Sequence, residues 1–568
     1  MAHPVDLFVP VLVAAAFLTP GVTVEAQRPP SMAGRSTVYA PNGAIATSQP
    51  LASAAGLAVL QRGGNAIDAA VTAAVVLTVV EPHMVGLGGD MFAMVWSAKD
   101  GQLHGLNASG RAGSLMTRDA LVSRGRERVP SRGVEAITVP GALSGWAALL
   151  ERFGTITLAE ALAPAIHIAE NGFPVTPIIA SDWQVETDVL LRDAGARATY
   201  LIDGERAPSE GEWFRNPDYA RTLREIAAGG PGVLYGGALG TRVAHHVRAG
   251  GGFLTPEDFA RHSPSWVEPV SVPFKGYRLW ELPPNGQGIA ALEMLRILET
   301  YDLKAMGHNS AAYLHHLIEA KKLAYADIEH YVGDPAHMRV PVDRLLSDDF
   351  TAGRRALMDP KRAAIRVEPG EATTASETIY LAASDADGNM VSFINSLFSA
   401  FGSAVVVPGT GFALQNRGSG FTLEANRANT VAPGKLPFHT IIPAFVTRTR
   451  QERGVLRSAA GEEPWLSFGV MGGAMQPQGH VQVLLNLLVF GMDPQQAVDA
   501  ARFRHLGGPR VAIESPVSDD VRAILASLGH ELVDEREIAF GGAQLIMKLA
   551  KGWAAASDPR KDGLAIGY

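Results

Sequence analysis

Two hydroxyl-bearing residues, Thr378 and Ser396, flank a short stretch whose composition favours a β-hairpin. Residues 378–383 are β-branched, aromatic or aliphatic, and residues 390–394 are again apolar or β-prone. Between them, residues 385–389 read Asp-Ala-Asp-Gly-Asn, a run that tolerates the backbone geometry of a tight turn. Such a hairpin would return Ser396 to the side of Thr378.

A threonine hydroxyl becomes a useful nucleophile only when a base lies beside it. If the chain is cut directly before Thr378, the new α-amine, with a pKa near about 8, can serve as the base for its own side chain. The alternative interpretation is structural, since a β-prone threonine also suits the start of a buried strand. The residues alone leave both open.

The stretch 378–402 resembles the start of the small subunit of γ-glutamyltransferases, which are N-terminal-nucleophile hydrolases. In that family, a threonine followed by a strand, an acidic turn ending in Asp-Gly-Asn and a second strand is the self-processing nucleophile. The resemblance implies that Thr378 is the nucleophile, that Ser396 is its supporting hydroxyl and that Glu377–Thr378 is the cleaved bond.

The run before Thr378 offers two competing nucleophiles, Thr373 and Thr374, but no strand follows them directly. Residues 370–377 are predicted to form an exposed linker, a kind of segment whose backbone can be strained and cut.

Length and composition indicate a globular protein. The chain has 568 residues, of which 47% are hydrophobic and 19% charged, and its net charge is −8. No stripe of basic residues with interleaved aromatic residues is present, so nucleic acid is not an expected partner. The absence of cysteine excludes disulfides, thiolate metal sites and cysteine nucleophiles.

Residues 1–26 are predicted to be a signal peptide, which places the protein in the periplasm or outside the cell. The stretch 7–18 is mostly apolar, and Val24-Glu25-Ala26 is a small-x-small cleavage pattern, although no Lys or Arg precedes the apolar run. An uncleaved anchor or a disordered leader are the alternatives. The apolar stretch is short for a membrane span, and none is expected in the mature protein.

The run from residue 63 through Gly89 is similar to the large subunit of the same family. It combines two glycine turns with the apolar helix expected over 66–80. The loop 86–90, Gly-Leu-Gly-Gly-Asp, lacks the Lys and Ser/Thr of a phosphate-binding loop and the spacing of a dinucleotide-binding loop. We therefore expect these residues to form scaffold.

An arginine of the family grips the α-carboxylate of the substrate near residues 106–112. Aligned column by column, Ser109 stands in its place, and Arg111 lies two residues further on. The resemblance favours Arg111 as a carboxylate-binding residue, because a planar guanidinium is a bidentate donor. An ordinary surface or salt-bridged arginine is the alternative.

Residues 414–421 correspond to the place where transpeptidating enzymes hold the α-ammonium of the substrate with acid or amide groups. Asn416 is a candidate substrate-binding residue here, but Arg417 and Gly420 occupy the matching columns. A cation facing an ammonium about 4 Å away costs ~1 kcal/mol or more, depending on the effective dielectric. Arg417 therefore favours an acyl group that lacks the α-amino group.

Two further segments carry site residues in the family. The Ser-Ser pair that usually binds the α-carboxylate is replaced by His439-Thr440, and both side chains can still donate hydrogen bonds. Gly472-Gly473 would present backbone N–H groups to an oxyanion, each worth ~3–4 kcal/mol. The alternatives are a proline-bounded strand with an incidental histidine and a simple helix-start turn.

The sequence predicts neither a metal nor a cofactor. The pairs His245-His246 and His315-His316 lie in helical patterns without a His-Glu-x-x-His motif, so solvated or core histidines are expected. The expected partners are a small amide substrate and water or an amine acceptor.

The resemblance covers residues 38–568 and implies an α+β fold, a four-layer αββα sandwich made as one precursor. Self-cleavage would give a large portion, 27–377, and a small portion, 378–568, which form one intertwined domain. Residues 401–412 are expected to form a strand and a turn, and 511–513 and 545–549 strands of the closing sheet.

Three functions remain open. The first is hydrolysis or transfer of γ-glutamyl amides such as glutathione through an acyl-threonine intermediate. The second is an acylase acting on glutaryl-type amides that lack the α-amino group. The third is a catalytically silent binding homologue, which the retention of Thr378, Ser396 and the glycine pair argues against.

Overall fold

The computed structural model describes residues 34–367, 377–448, 459 and 461–568, with Glu377 described by its backbone alone. The signal peptide predicted at 1–26 lies outside the described residues, and so do Thr373 and Thr374. Among the residues described, no helix is both long enough and apolar enough to cross a membrane.

The strands follow the β-prone runs of the sequence, and most are short. In chain order they are β1 Val38–Ala40, β2 Ala44–Thr47, β3 Asp90–Ser97, β4 Gln102–Ala108, β5 Phe173–Pro174, β6 Trp213–Phe214, β7 Ser265–Val267, β8 Val270–Phe274, β9 Tyr277–Glu281, β10 Glu377–Ser384, β11 Met390–Phe398, β12 Ala444–Arg448, β13 Glu463–Val470, β14 Phe503–Gly507, β15 Arg510–Ile513, β16 Glu531–Val533, β17 Ala543–Lys548, β18 Trp553–Ser557 and β19 Leu564–Gly567.

The helices lie mainly before residue 378. They are α1 Pro50–Gln61, α2 Ala66–Val80, α3 Arg118–Val122, α4 Ala142–Phe153, α5 Leu158–Asn171, α6 Pro177–Val185, α7 Thr187–Leu190, α8 Ala194–Tyr200, α9 Pro217–Gly229, α10 Ala238–Ala249, α11 Pro256–Ala260, α12 Gly288–Leu298, α13 Leu303–Met306, α14 Ala311–Tyr331, α15 Val342–Leu345, α16 Asp348–Arg355, α17 Met475–Leu488, α18 Pro494–Asp499 and α19 Asp519–Ser527.

Two seven-stranded antiparallel sheets form the centre of the molecule. Their orders are β19-β2-β10-β11-β3-β4-β7 and β1-β18-β17-β13-β12-β9-β8. They stack face to face, with β10 and β11 packed on β13. Gly469 permits this contact, because a Cβ there would lie 2.4 Å from the Tyr380 ring.

Helices cover the outer faces of both sheets. The helix α2 packs against β10 and β11, and α12 and α17 cover β8, β9 and β13. Every residue of α2 is buried, which explains why the sequence 66–80 is almost continuously apolar. The layers are therefore helix, sheet, sheet and helix, as the sequence predicted.

Two local predictions were wrong. Residues 511–513 lie in β15, which pairs with β14 and β16 in a separate three-stranded sheet, whereas β17 does lie in the second large sheet. Residues 401–412 form turns, with a single bridge between Val406 and Ala413. Strand propensity reports a fit to a pleated surface and does not identify the pairing partner.

The turn between β10 and β11 is fastened to the scaffold by Asp385, which is buried. Its Oδ1 accepts the N–H groups of Asp387 and Asn389, each at 3.0 Å. Its Oδ2 accepts the amide N–H of Ala66 at the start of α2 and Asn389 Nδ2, each at 2.8 Å. A single carboxylate thus ties the hairpin that carries Thr378 to the most buried helix of its layer.

We predict that Asp385→Ala will lower stability by about 2–4 kcal/mol, since the variant loses charge-assisted hydrogen bonds and leaves buried N–H groups without an acceptor. The measurement is the melting temperature of the two proteins under identical conditions. Asp387→Ala is the matched control, because Asp387 is exposed in the same turn. Equal melting temperatures for the two variants would contradict the role given to Asp385.

Candidate active site

The first residues of β10 place Thr378 beside Ser396 on the neighbouring strand. Glu377 lies opposite Phe398 and Ile379 opposite Asn395, so the pairing register shifts at Thr378. The Thr378 Oγ1 lies 3.3 Å from Ser396 Oγ, and both side chains are fully buried. The structure therefore brings together the two hydroxyls singled out in the sequence, in the uncut chain.

Arg417 bridges the Ser396 hydroxyl and the Thr440 hydroxyl. Its Nη2 donates to Ser396 Oγ at 3.2 Å and its Nη1 to Thr440 Oγ1 at 2.9 Å. The guanidinium lies 4.3 Å from the centre of the Phe398 ring and is fully buried. Burial lowers the pKa of Arg417 to about 9, partly offset by the nearby Asp90. Within the described chain, its Nε has no hydrogen-bond partner.

Phe398 adopts an unusual backbone conformation next to this group. Its φ is 82°, a left-handed value that is costly for a residue with a side chain, by roughly 1–2 kcal/mol. Its N–H donates to Ser396 Oγ at 2.8 Å. The same residue thus supplies a hydrogen bond to Ser396 and the aromatic face under Arg417.

Asp90 supplies the negative charge of the site. It lies opposite Ser396 in the β3–β11 pairing. Its Oδ1 accepts hydrogen bonds from Gly110 N, Gly141 N and Gln415 Nε2 at 3.0–3.1 Å. Burial raises the pKa of this carboxyl to about 7, opposed by Arg417 and by these donors. Because every neighbour is a donor, the pattern suits the ionised carboxylate.

His439 completes this buried set. Its Nε2 lies 3.0 Å from Asp90 Oδ2, and its Nδ1 accepts the Ile441 N–H at 3.4 Å. The proton therefore sits on Nε2 and is donated to Asp90. Burial, reinforced by Arg417, holds the pKa of His439 well below 6.5, so the ring is neutral.

Gly472 and Gly473 form the turn between β13 and α17. Their φ values are 116° and 59°, which glycine adopts without strain. Neither backbone N–H donates to another described residue. Beyond the turn, Gln476 lies at the start of α17, with its Nε2 3.5 Å from Thr378 Oγ1 and its Oε1 accepting the Ile442 N–H.

Gln287 joins this turn to the segment that carries His439 and Thr440. Its Nε2 donates to Thr440 O at 2.6 Å and to Gly473 O at 2.8 Å. A shift of either segment would break one of these bonds. The two predicted site segments are therefore held at a fixed separation.

Arg111 and Asn416 lie differently from the residues above. The Arg111 guanidinium contacts Asp334 Oδ2 at 3.3 Å and Gly434 O at 3.0 Å, and its side chain is 53% exposed. It borders a cavity of about 400 Å³ that Arg261 and His262 also line. Asn416 is buried and bonded to Ser131 O and to the Ser399 side chain. Their role in substrate binding stays a prediction.

One group of potential metal ligands occurs among the described residues, away from this site. His315, Glu319 and His530 have ligand atoms within 4.8 Å of one another. His315 Nδ1 and His530 Nε2 are hydrogen-bonded at 2.8 Å, and Glu319 is paired with Lys322 at 2.8 Å. These contacts join the three side chains in a polar network, in which His530 Nδ1 has no hydrogen-bond partner among the described residues.

Three residues of the site were missed by the sequence analysis: Asp90, Gln287 and Gln476. Asp90 ends the glycine loop 86–90, for which the sequence predicts only a scaffold role, yet its side chain contacts His439. Gln476 lies three residues after Gly473, and this closeness to a predicted site residue is the sequence feature that could have identified it. For Gln287, the only such feature is its position after a proline-rich turn.

Comparison with known proteins identifies the family. The Gamma-glutamyltranspeptidase family profile matches residues 52–568. The chain belongs to the γ-glutamyltranspeptidase family. It is therefore an amide hydrolase or acyltransferase of the N-terminal-nucleophile type, as the sequence predicted.

Relatives of this γ-glutamyltranspeptidase family member differ in the amides they are named for. It is 37% identical to a glutathione hydrolase-like proenzyme, YwrD, of Bacillus subtilis, over 91% of this chain and 97% of that protein. It is 35% identical to an oxamate amidohydrolase proenzyme of Klebsiella pneumoniae, over 91% and 97%. It also resembles the crystal structure of a cephalosporin acylase from Bacillus halodurans, with 43% identity, a TM-score of 0.88 and coverage of 96% and 99%.

The neutral state of His439 predicts a pH dependence of stability. An unfolded histidine binds a proton near pH 6.5, whereas folded His439 does not, so stability is full above pH 6.5 and falls as the pH drops below it. One such group contributes about 1.4 kcal/mol per pH unit. His83 and His480, with pKa values lowered to about 3 by burial, act in the same direction.

Buried carboxyls whose pKa is raised to about 7, such as Glu81 and Asp90, act in the opposite direction, so the net slope of the whole protein does not isolate His439. We therefore predict a difference between two proteins: from pH 7 to pH 5, the melting temperature of His439→Gln falls less, or rises more, than that of the parent protein. The comparison is of slopes, so a different melting temperature of the variant at pH 7.5 does not affect it. Parallel slopes would show that folded His439 takes up the proton.

Proposed function

We propose that this protein is an exported, self-processing amidase that cuts its own Glu377–Thr378 bond and then uses Thr378 as nucleophile. The observation that carries this proposal is the buried contact of 3.3 Å between Thr378 Oγ1 and Ser396 Oγ at the start of β10. A merely structural threonine does not need a second hydroxyl, a guanidinium and a glycine turn around it. The predicted leader, 1–26, supports export.

The reaction follows from the groups around Thr378. After the cut, the α-amine of Thr378 takes the proton of its own hydroxyl as Oγ1 attacks the amide carbonyl. The C–O bond forms, the C–N bond breaks, and the leaving amine receives the proton. Water, or an amine acceptor, then attacks the acyl-threonine ester and frees Thr378. Ser396 orients the nucleophile through its hydrogen bond.

We assign the stabilisation of the oxyanion in each tetrahedral intermediate to the backbone N–H groups of Gly472 and Gly473. Their N–H groups have no acceptor within the described chain, and the turn begins the helix that carries Gln476 close to Thr378. A preorganised N–H donor of this kind contributes ~3–4 kcal/mol to the transition state. Gln476 is positioned to stabilise Thr378 Oγ1 when it becomes the reacting atom.

We assign the binding of the acyl half of the substrate to Arg417 and Thr440. The positive charge of a guanidinium bonded to the Ser396 and Thr440 hydroxyls attracts a carboxylate and repels an ammonium. Asp90, the nearest acid, already accepts four hydrogen bonds, so it offers little to an α-ammonium. We therefore favour amides of acids that carry a free carboxylate and lack the α-amino group, such as glutaryl amides.

Hydrolysis of γ-glutamyl amides is the second candidate, supported by the relative named as glutathione hydrolase-like. The relatives named for oxamate and cephalosporin support the first candidate. In either case the large portion, 27–377, and the small portion, 378–568, would stay together, since both contribute strands to each large sheet.

We predict that the purified mature protein gives two bands of about 40 and 20 kDa from the 60.1 kDa chain, and that Thr378→Ala stays whole. The physical reason is that alanine has no hydroxyl to attack the preceding carbonyl. Denaturing gels and N-terminal sequencing provide the measurement, with Thr373→Ala and Thr374→Ala as controls that should still split. A Thr378→Ala protein that cleaves itself would place the nucleophile elsewhere.

We predict that glutaryl anilide is hydrolysed with a kcat/KM about tenfold above that of γ-glutamyl anilide, because only the latter places an ammonium near Arg417. The ratio should collapse towards unity in Arg417→Gln, since removing the charge removes both the attraction and the repulsion. Both anilides are measured on the same preparation, so the ratio of the two kcat/KM values does not depend on how much of the variant is folded.

The variant Arg111→Gln tests the alternative carboxylate-binding residue. If Arg111→Gln removes the preference for glutaryl anilide and Arg417→Gln does not, Arg111 holds the carboxylate.

A further inference from the structure

A second pocket, of about 110 Å³, opens beside the Gly472-Gly473 turn. It is bordered by α14, by the stretch 364–367, by Ala474 and by β14. Its ionisable lining is strongly basic, with four basic side chains, a neutral histidine and one acid: Lys321, Lys322, Arg366, Arg504, His505 and Glu329. None of these residues belongs to the machinery described above.

Tyr325 connects this pocket to the reaction centre. Its ring lies 3.7 Å from Lys321 Nζ, while its hydroxyl donates to Ala474 O at 2.6 Å. The same hydroxyl lies 3.3 Å from Gln287 Oε1, whose amide also holds Gly473 O. The Tyr325 side chain therefore reaches from Lys321 in the basic lining to Ala474, the residue after the proposed oxyanion turn.

Arg504 is the distinctive group of the lining. Its side chain belongs to a residue that is only 8% exposed, and it forms neither a hydrogen bond nor an ion pair with any other residue in the described part of the chain. Burial lowers its pKa, and Glu535 offsets this only partly. Its guanidinium lines the pocket, so an anion that enters would meet a positive charge that no described side chain pairs directly.

The neighbouring lysines are only partly neutralised within the protein. Lys322 pairs with Glu319 at 2.8 Å, but Lys321 Nζ donates to the neutral His505 Nδ1 at 2.9 Å. His505 Nε2 in turn donates to Gly508 O, which fixes that tautomer. Burial lowers the pKa of Lys321 to about 7, and an anion in the pocket would favour its ammonium form.

We propose that this basic pocket binds the carboxylate of the amine half of the substrate. The inference rests on the proposed amidase function and extends it: the preferred substrate joins an anionic acyl group, held by Arg417, to an amino acid or another amine that carries a carboxylate. The acyl carbonyl would lie at the glycine turn, with the amine half directed past Ala474. The leaving amine departs with its proton, and its carboxylate stays on Arg504 and Lys321 until release.

The matched substrates for the test are glutaryl anilide and the glutaryl amide of 4-aminobenzoate, which differ by one carboxylate on the leaving group. We expect the mature protein to show a KM about tenfold lower for the carboxylated amide, the effect of one hydrogen bond to a charged group. Arg504→Gln and Lys321→Met should each remove most of this preference while the neutral anilide is still hydrolysed. Arg224→Gln, on the exposed surface, is the control and should keep the preference.

Direct binding separates failure of this inference from failure of the proposed function. Calorimetry on the mature protein should show binding of 4-aminobenzoate, much weaker binding of aniline, and at least tenfold loss of 4-aminobenzoate affinity in Arg504→Gln. A protein that cleaves neither amide but passes this binding test would refute the amidase and keep the pocket. Equal affinity of the parent protein and Arg504→Gln, or tighter binding of inorganic phosphate than of 4-aminobenzoate, would overturn the assignment to the amine half.

Discussion

The position of Thr378 depends on the hydrogen bonding of a single strand. β10 pairs with β11 along its length and with β2 at residues 382–384, and its side chains pack on α2 and on the second sheet. Thr378 is the second residue of this strand, so the pairing that begins at Ile379 holds it in place even when the peptide bond before it is broken. Asp385 fastens the other end, so both ends of the strand are defined before any chemistry occurs.

The electrostatics of the site follow from burying a guanidinium next to that strand. Arg417 contacts the hydroxyls of Ser396 and Thr440, and Asp90 supplies the opposite charge and accepts a hydrogen bond from His439, which burial and Arg417 keep neutral. Burying such charges is unfavourable unless donors and acceptors are matched, and four donors surround Asp90. The same arrangement that satisfies these charges also selects for an anionic acyl group in the proposed function.

Local sequence motifs were enough to predict much of the fold and part of the site. The hairpin, the contact between Thr378 and Ser396 and the glycine turn could be predicted because each depends on residues close in sequence or on a recognisable family pattern. The Asp90 network could not, because it joins residues separated by more than 300 positions, as with Gln415 and His439. Likewise, the run 511–513 has strand character, but nothing in it specified β14 and β16 as its neighbours.

The two portions of the chain share both large sheets, and this has a consequence for the reversibility of unfolding. β10 and β11 lie between β2 and β3 in one sheet, while β12, β13, β17 and β18 lie between β1 and β9 in the other. An intact precursor reaches this topology in a unimolecular process, whereas two separated fragments must first meet, so renaturation becomes second order and dilution opposes it. Once the backbone is severed, persistence of the assembly rests on slow unfolding, and a denatured sample has no intramolecular route back.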